Sequence, residues 1–84
     1  MRCIRLDCAW MGDREAVHDY LAQALGFPSW YGRNLDALYD LLTGWMEPTR
    51  LELKHLPALT AYPYGEKVLE TLQDAAANTP GLEI

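Results

Sequence analysis

The chain has 84 residues, half of them hydrophobic, and its formal net charge at pH 7 is -5. This length allows one small core and the composition excludes a disordered chain, so we expect a single domain over residues 1–84. The acidic balance argues against direct binding to nucleic acid or to an anionic membrane, because both require clustered Lys and Arg.

The first half of the chain predicts one strand and two helices. Residues 2–7 alternate polar with apolar side chains, which is typical of a strand. Apolar residues then recur at helical spacing after Gly12 or Asp13, and Gly26 ends that helix. A second helix begins after Asn34, a good N-cap residue, and closes at Gly44 and Pro48. Its predicted apolar face consists of Leu35, Leu38, Leu41 or Leu42, and Trp45.

The second half predicts two further strands and one clear helix. Residues 50–54 alternate with period two, and residues 55–64 hold two prolines and allow one short helix at most. A long helix opens at Gly65 and is broken at 78–81, which leaves 82–84 as a short final strand. Parallel neighbours need helical crossovers, so this order predicts an α/β fold with a small three-stranded parallel sheet packed by three to four helices.

The two cysteines and the amino terminus indicate a reducing compartment. On one strand, Cys3 and Cys8 would have Cα atoms about 16 Å apart, beyond the ~7 Å that a disulfide tolerates. We expect free thiols, with Cys3 in the core and Cys8 open to exposure. Charged residues interrupt the first seven positions, unlike a signal peptide, and no run reaches the ~18 apolar residues of a membrane span. The expected location is the cytoplasm.

Residues 30–45 are the most informative run of the chain. They open with two aromatic residues and a glycine at 30–32, a turn that can bring backbone close to another molecule. Asp36 and Asp40 follow one helical turn apart, and no Lys or Arg occurs from 34 to 48. Two acids at this spacing slightly destabilise an isolated helix. Taken alone, they read as an ordinary solvated face, although aromatic residues beside uncompensated acids suit a cationic partner.

Several neighbouring side chains also have structural interpretations. His18 lies on or beside the buried stripe of the first helix, and Trp45 continues the apolar stripe of the second, so both are expected to be structural. Arg33 is expected to offset the charge of Asp36 at i+3. Trp30 stands in a turn, where a large exposed aromatic side chain suits an anchor for a partner.

The central run also carries a dense residue pattern. Its elements are Tyr31-Gly32, Asn34-Leu35-Asp36-Ala37-Leu38, Asp40 and Leu42-Thr43-Gly44-Trp45. A chain with these residues in this order resembles the barstar family of intracellular ribonuclease inhibitors. His18, residues 25–28, 51–52 and 68–69 keep the family's register, so the likeness covers nearly the whole chain. It implies a three-stranded parallel sheet packed by helices, with the second helix and its preceding loop as the inhibitory surface.

The resemblance also implies roles by position. Asp40 would enter the basic active site of the nuclease in place of a substrate phosphate. Asp36 would pair with a second cation, and Asp74 on the last helix would be a peripheral acid. Arg33 stands where the best-known member has an acidic residue, which adds repulsion toward a basic partner. The other implied contact residues are Trp30, Tyr31, Gly32, Asn34, Tyr39, Thr43 and Gly44. Packing inside the protein is an open alternative for the two tyrosines.

Two other functions stay open beside that of a ribonuclease inhibitor. One keeps the fold and changes the target, as immunity against another toxin or regulation of another partner. The other is a metal site or an acid–base enzyme built on Asp36 and Asp40. Glycosidase carboxylates flank a cleft, however, whereas this pair shares one convex helix face without a nucleophile or phosphate loop. We therefore expect no catalytic residues, cofactor or metal. The resemblance implies that the partner is a bacterial ribonuclease with a basic active site, and we expect the protein to be monomeric when free.

Overall fold

A computed structural model describes residues 2–44 and 47–84, which form a three-stranded parallel sheet and four α-helices. The first half contains β1 (Arg2–Asp7), a 3-10 turn (Cys8–Trp10), α1 (Arg14–Leu25) and α2 (Leu35–Thr43). The second half contains β2 (Thr49–Lys54), α3 (Leu56–Thr60), α4 (Pro63–Asn78) and β3 (Leu82–Glu83). The predicted α/β fold is confirmed. The 3-10 turn was not predicted, and Trp45 lies outside the described residues.

The strand order is β1-β2-β3, with every neighbouring pair parallel. β1 runs alongside β2 in a register that joins Arg2 to Thr49 at one end and Asp7 to Lys54 at the other. β3 adds only two residues to the far edge of β2. Each connection crosses over through helices, as parallel strands require.

The sheet has one packed and one open face, and this overturns the prediction for the cysteines. Ile4 and Leu6 of β1 point toward the core, so Cys3, at the opposite parity, is exposed. The chain leaves the strand after Asp7, and Cys8 turns inward and is fully buried in the 3-10 turn. Both cysteines are free thiols. Cys3 in the core was therefore wrong, because Cys3 and Leu6 cannot share one face of a strand.

The ends of α1 and α2 are fixed by local hydrogen bonds. Asp13 caps α1 by accepting a hydrogen bond from the Ala16 N–H at 2.8 Å, and Gly26 ends it in the left-handed conformation with a φ of 69°. Asn34 caps α2 in the same way, through the Ala37 N–H at 2.8 Å. These predicted boundaries are confirmed.

The boundary between α3 and α4 differs from the prediction by two residues. α4 begins at Pro63, because proline suits the first turn of a helix, and Gly65 lies inside that turn. Gly65 is buried against the backbone of α3. A β-carbon built there would overlap the carbonyl oxygen of Leu59 and lie 2.9 Å from its carbonyl carbon. The close crossing of α3 and α4 therefore depends on residue 65 being a glycine, which has no side chain.

One cluster of buried apolar residues lies between the sheet and the helices. Its largest members include Leu6, Met11, Leu21, Leu38, Leu42, Leu51, Leu59 and Leu72. The helices of the described part of the chain are all too short or too polar to cross a membrane.

Candidate functional site

Helix α2 presents its acidic side to solvent. Leu38 and Leu42 are buried in the core, whereas Asp36 and Asp40 are exposed. Asp36 lies in the first turn, where the positive end of the helix dipole favours a carboxylate. The spacing that places two leucines inward thus places two acids outward.

The carboxylates of Asp36 and Asp40 lack an internal partner in the part of the chain that the structure describes. Within residues 2–44 and 47–84, these carboxylates take part in no ion pair or hydrogen bond; the Thr43 hydroxyl donates, at 3.2 Å, to the backbone carbonyl of Asp40 and not to its side chain. Arg33, which was predicted to offset Asp36, instead donates to the carboxylate of Asp19 on α1. That prediction was wrong because Arg33 precedes the helix with a φ of 55°, so helical i+3 spacing does not apply. The acids remain available to an external cation.

The loop before α2, residues 26–34, is folded onto the start of that helix. The Asn34 side-chain amide donates to the Gly32 carbonyl oxygen at 3.2 Å, while its oxygen caps the helix. A β-carbon at Gly32 would lie 3.3 Å from both the Ala37 β-carbon and the Asn34 amide nitrogen, tighter than ordinary packing. Trp30 projects from this loop and is 75% exposed, as its turn position predicted. The loop and helix therefore form one continuous surface.

Tyr31 is the member of the predicted contact set whose ring faces inward. It is 6% exposed, and its ring packs against Phe27 with centroids 4.8 Å apart. Its hydroxyl lies 2.7 Å from Nδ1 of His18. Burial raises the pKa of the Tyr31 hydroxyl, which therefore stays neutral. The Tyr31 side chain therefore packs inside the protein, the alternative that the sequence left open, and its ring supports the loop from beneath.

His18 joins three segments at the base of this loop. Its Nδ1 meets Tyr31, and its Nε2 lies 2.6 Å from the hydroxyl of Tyr64 on α4. A neutral imidazole has one donor and one acceptor, so one tyrosine donates to the ring and the other accepts from it. Burial, followed by the charges of Arg14 and Arg33, lowers the pKa of His18 and favours this neutral form. The predicted structural role of His18 is thus a polar contact between α1, the loop and α4.

The remaining predicted contact residues lie on α2 and α4. Tyr39 is half-buried against the core, so packing describes part of its ring. The Thr43 hydroxyl donates to the Tyr39 carbonyl oxygen at 2.9 Å, within its own helix. The exposed Gly44 donates its N–H to the Asp40 carbonyl oxygen at 3.0 Å. Asp74 is exposed and lines a groove of about 250 Å³ with Leu35, which places it beside the start of α2.

The described residues contain no group of three or more His, Cys, Asp or Glu side chains that could hold a metal ion.

Residues 1–83 match the family model described as Barstar (barnase inhibitor). This chain belongs to the barstar family. "Putative ribonuclease inhibitor YrdF" of Bacillus subtilis (strain 168) is 44% identical over 78 residues, covering 89% of this chain and 86% of that protein. The resemblance carried by residues 30–45 is therefore confirmed.

Sequence reasoning missed two supports of this barstar-family surface. The Arg33–Asp19 ion pair joins residues 14 positions apart, and the His18–Tyr64 contact joins residues 46 positions apart. Both depend on how α1, the loop and α4 pack together. His18 on a buried stripe was the one visible signal, since a buried imidazole needs hydrogen-bond partners.

We expect the stability of this barstar-family protein to fall as the pH drops below about 6.5. The pKa of His18 is lowered in the folded state, so the unfolded chain takes up the proton first, near its ordinary value of 6.5. The stabilisation is complete above that value and is lost as the pH falls through the folded pKa. Urea unfolding at pH 7.5 and 5.5 measures the loss.

The matched variants for this experiment are His18→Gln and His55→Gln. His18→Gln is less stable at pH 7.5 but should show a smaller difference between the two pH values than the wild type. His55 is exposed, but its Nδ1 lies 2.8 Å from the Asp7 carboxylate, so His55→Gln measures separately how much this surface contact contributes to the difference. An unchanged pH dependence in His18→Gln would contradict the assignment.

Proposed function

We propose that this protein is a stoichiometric inhibitor of a bacterial ribonuclease with a basic active site. The observation that carries the proposal is the pair of exposed carboxylates on α2, Asp36 and Asp40, which lack a cationic partner among the described residues. In the complex they occupy the positions of RNA phosphates. Membership of the barstar family and the inhibitor name of its relative support this role.

The charge distribution suits fast and specific binding to such a nuclease. The chain carries a net charge of -5, and its central acids point outward from a preformed helix. Opposite charge on the two partners raises the association rate in a salt-dependent way, because it steers their encounter. Trp30 adds a large apolar anchor beside the acids. The acidic side of α2 and the loop that carries Trp30 together form a surface complementary to a basic cleft.

The same geometry supports an inhibitor over an enzyme. Asp36 and Asp40 share the convex side of one helix, whereas paired catalytic carboxylates flank a substrate. The buried imidazole of His18 is occupied by two tyrosine hydroxyls at 2.6 and 2.7 Å, so it is not set beside these acids as a general base. We place the inhibitor in the cytoplasm as a monomer that protects the cell from the nuclease.

A titration against purified basic bacterial ribonucleases tests this function. With the nuclease concentration held well above the dissociation constant of the complex, the rate of RNA cleavage should fall linearly with added inhibitor. Cleavage should stop at one inhibitor per nuclease. The inhibition constant should rise with salt, because charge pairs are screened. Glu83→Gln removes one charge from an exposed position on β3 and should inhibit like the wild type. Failure to inhibit any basic ribonuclease of the source organism would overturn the proposal.

A further inference from the structure

A cleft of about 290 Å³ opens beside the loop, on the α1 side of the proposed inhibitory surface. It is lined by Arg14, Glu15, His18 and Arg33. His18 is buried at its base, while the other three side chains are exposed. The cleft is thus part of the surface of an acidic protein and is bordered by two of its seven basic residues.

The two arginines of this cleft differ in their partners. Arg33 is paired with Asp19, and both side chains remain about half exposed, at 47% and 51%. Arg14 has no ion-pair partner among the described residues, and its guanidinium carbon lies 5.2 Å from the centroid of the Tyr64 ring. Glu15 supplies the opposing charge on the wall. Burial, and after it the charges of Arg14 and Arg33, lower the pKa of His18, which lines the same cleft as the two arginines.

Arg33 connects this cleft to the proposed inhibitory surface. It follows Gly32 and precedes the helix cap Asn34, so it belongs to the loop that carries Trp30. Its left-handed backbone and its pairing with Asp19 direct the guanidinium toward α1 and away from Asp36. Asp36 and Asp40 therefore lie on α2, whereas Arg14 and Arg33 lie on the α1 side of the loop.

We propose that this cleft receives a carboxylate side chain from the partner ribonuclease, with Arg14 and Arg33 as specificity-determining residues. The inference rests on the proposed function, since the carboxylate comes from the rim of the nuclease's basic active site. A guanidinium has five N–H donors, so Arg33 can keep Asp19 and still donate to a second carboxylate. Glu15 and Asp19 beside the arginines repel a phosphate dianion more than a single carboxylate, which favours a protein acid as the occupant.

The sign of a double substitution tests the inference. Removing two positive charges from an acidic inhibitor should tighten its binding to a basic nuclease if the cleft plays no part. If the cleft holds a carboxylate, Arg14→Gln with Arg33→Gln should instead weaken inhibition by roughly fivefold to tenfold. Arg50→Gln removes an exposed cation from β2 and should produce only slight tightening.

Asp19→Asn separates recognition from loop support. This variant also breaks the Arg33–Asp19 pair, but it leaves the guanidinium free, so binding should be kept or become tighter. If Asp19→Asn and Arg33→Gln weaken binding equally, the pair acts only as a brace and the inference is wrong. The decisive confirmation is a charge exchange, in which Arg33→Glu loses inhibition and a rim Asp→Arg or Glu→Arg nuclease restores it.

These outcomes are distinguishable from failure of the proposed function. If the wild-type protein inhibits no ribonuclease, the function itself is wrong. If the wild type inhibits and the double Arg→Gln variant binds equally or more tightly, or if no rim substitution in the nuclease restores Arg33→Glu, only the role of the cleft is overturned.

Discussion

Replacing Asp40 with alanine is expected to raise the inhibition constant by at least about 30-fold, the ~2 kcal/mol typical of a central charged contact. The reason is that the carboxylate is exposed on α2 without a partner among the described residues, so its interactions form mainly in the complex. The truncation would also leave a nuclease cation buried and unpaired. Inhibition of RNA cleavage, followed at fixed salt, measures the change.

Asp74→Ala is the matched control for Asp40→Ala. Asp74 is also exposed, but it lies on α4 at the edge of the groove beside Leu35. A peripheral acid mainly affects the association rate, so we expect a loss below about fivefold. Both variants should unfold at nearly the wild-type urea concentration. Equal losses of inhibition from the two substitutions, or none from either, would argue against α2 as the centre of the surface.

Replacing Gly65 with alanine is expected to destabilise the fold by at least about 3 kcal/mol, the upper range for overpacking a core. The added methyl group would overlap the carbonyl oxygen of Leu59, which belongs to the backbone of α3 and cannot rotate away. α3 and α4 would have to separate. Because Tyr64 precedes this glycine and contacts His18, the loop before α2 would lose support as well.

Gly12→Ala provides the comparison for Gly65→Ala. A β-carbon at Gly12 would meet no heavy atom within 4 Å, and Gly12 is exposed. Its substitution should change the free energy of unfolding by no more than about 0.5 kcal/mol. Urea unfolding at pH 7.5 compares the two variants. Similar midpoints for both would show that α3 and α4 tolerate separation.

Local signals in the sequence predicted the elements that carry the candidate site. Asp13 and Asn34 cap helices with their own side chains, and Gly26 ends one through its backbone freedom, so these boundaries need no tertiary information. Period-two and helical spacing likewise placed the strands and the buried side of α2. The start of α4 was missed because Pro63 was taken as a break, although proline is equally suited to a first helical turn.

Contacts between elements could not be predicted in the same way. Whether Arg33 pairs with Asp36 or Asp19 depends on a positive φ in the loop and on the position of α1, neither of which has a local signal. The burial of Cys3 and Cys8, which is the reverse of the prediction, shows a different difficulty. The choice of which strand face is buried was ambiguous while Cys3, Ile4 and Leu6 all appeared apolar.

Asn34 has a consequence for how the protein meets its target. One side chain holds both the turn at Gly32 and the first turn of α2, at 3.2 and 2.8 Å. The loop and helix of the proposed inhibitory surface are therefore already joined in the free protein, and we expect little conformational entropy to be lost on docking. Complex formation should then be limited by diffusion and orientation, with no slow folding step in its kinetics.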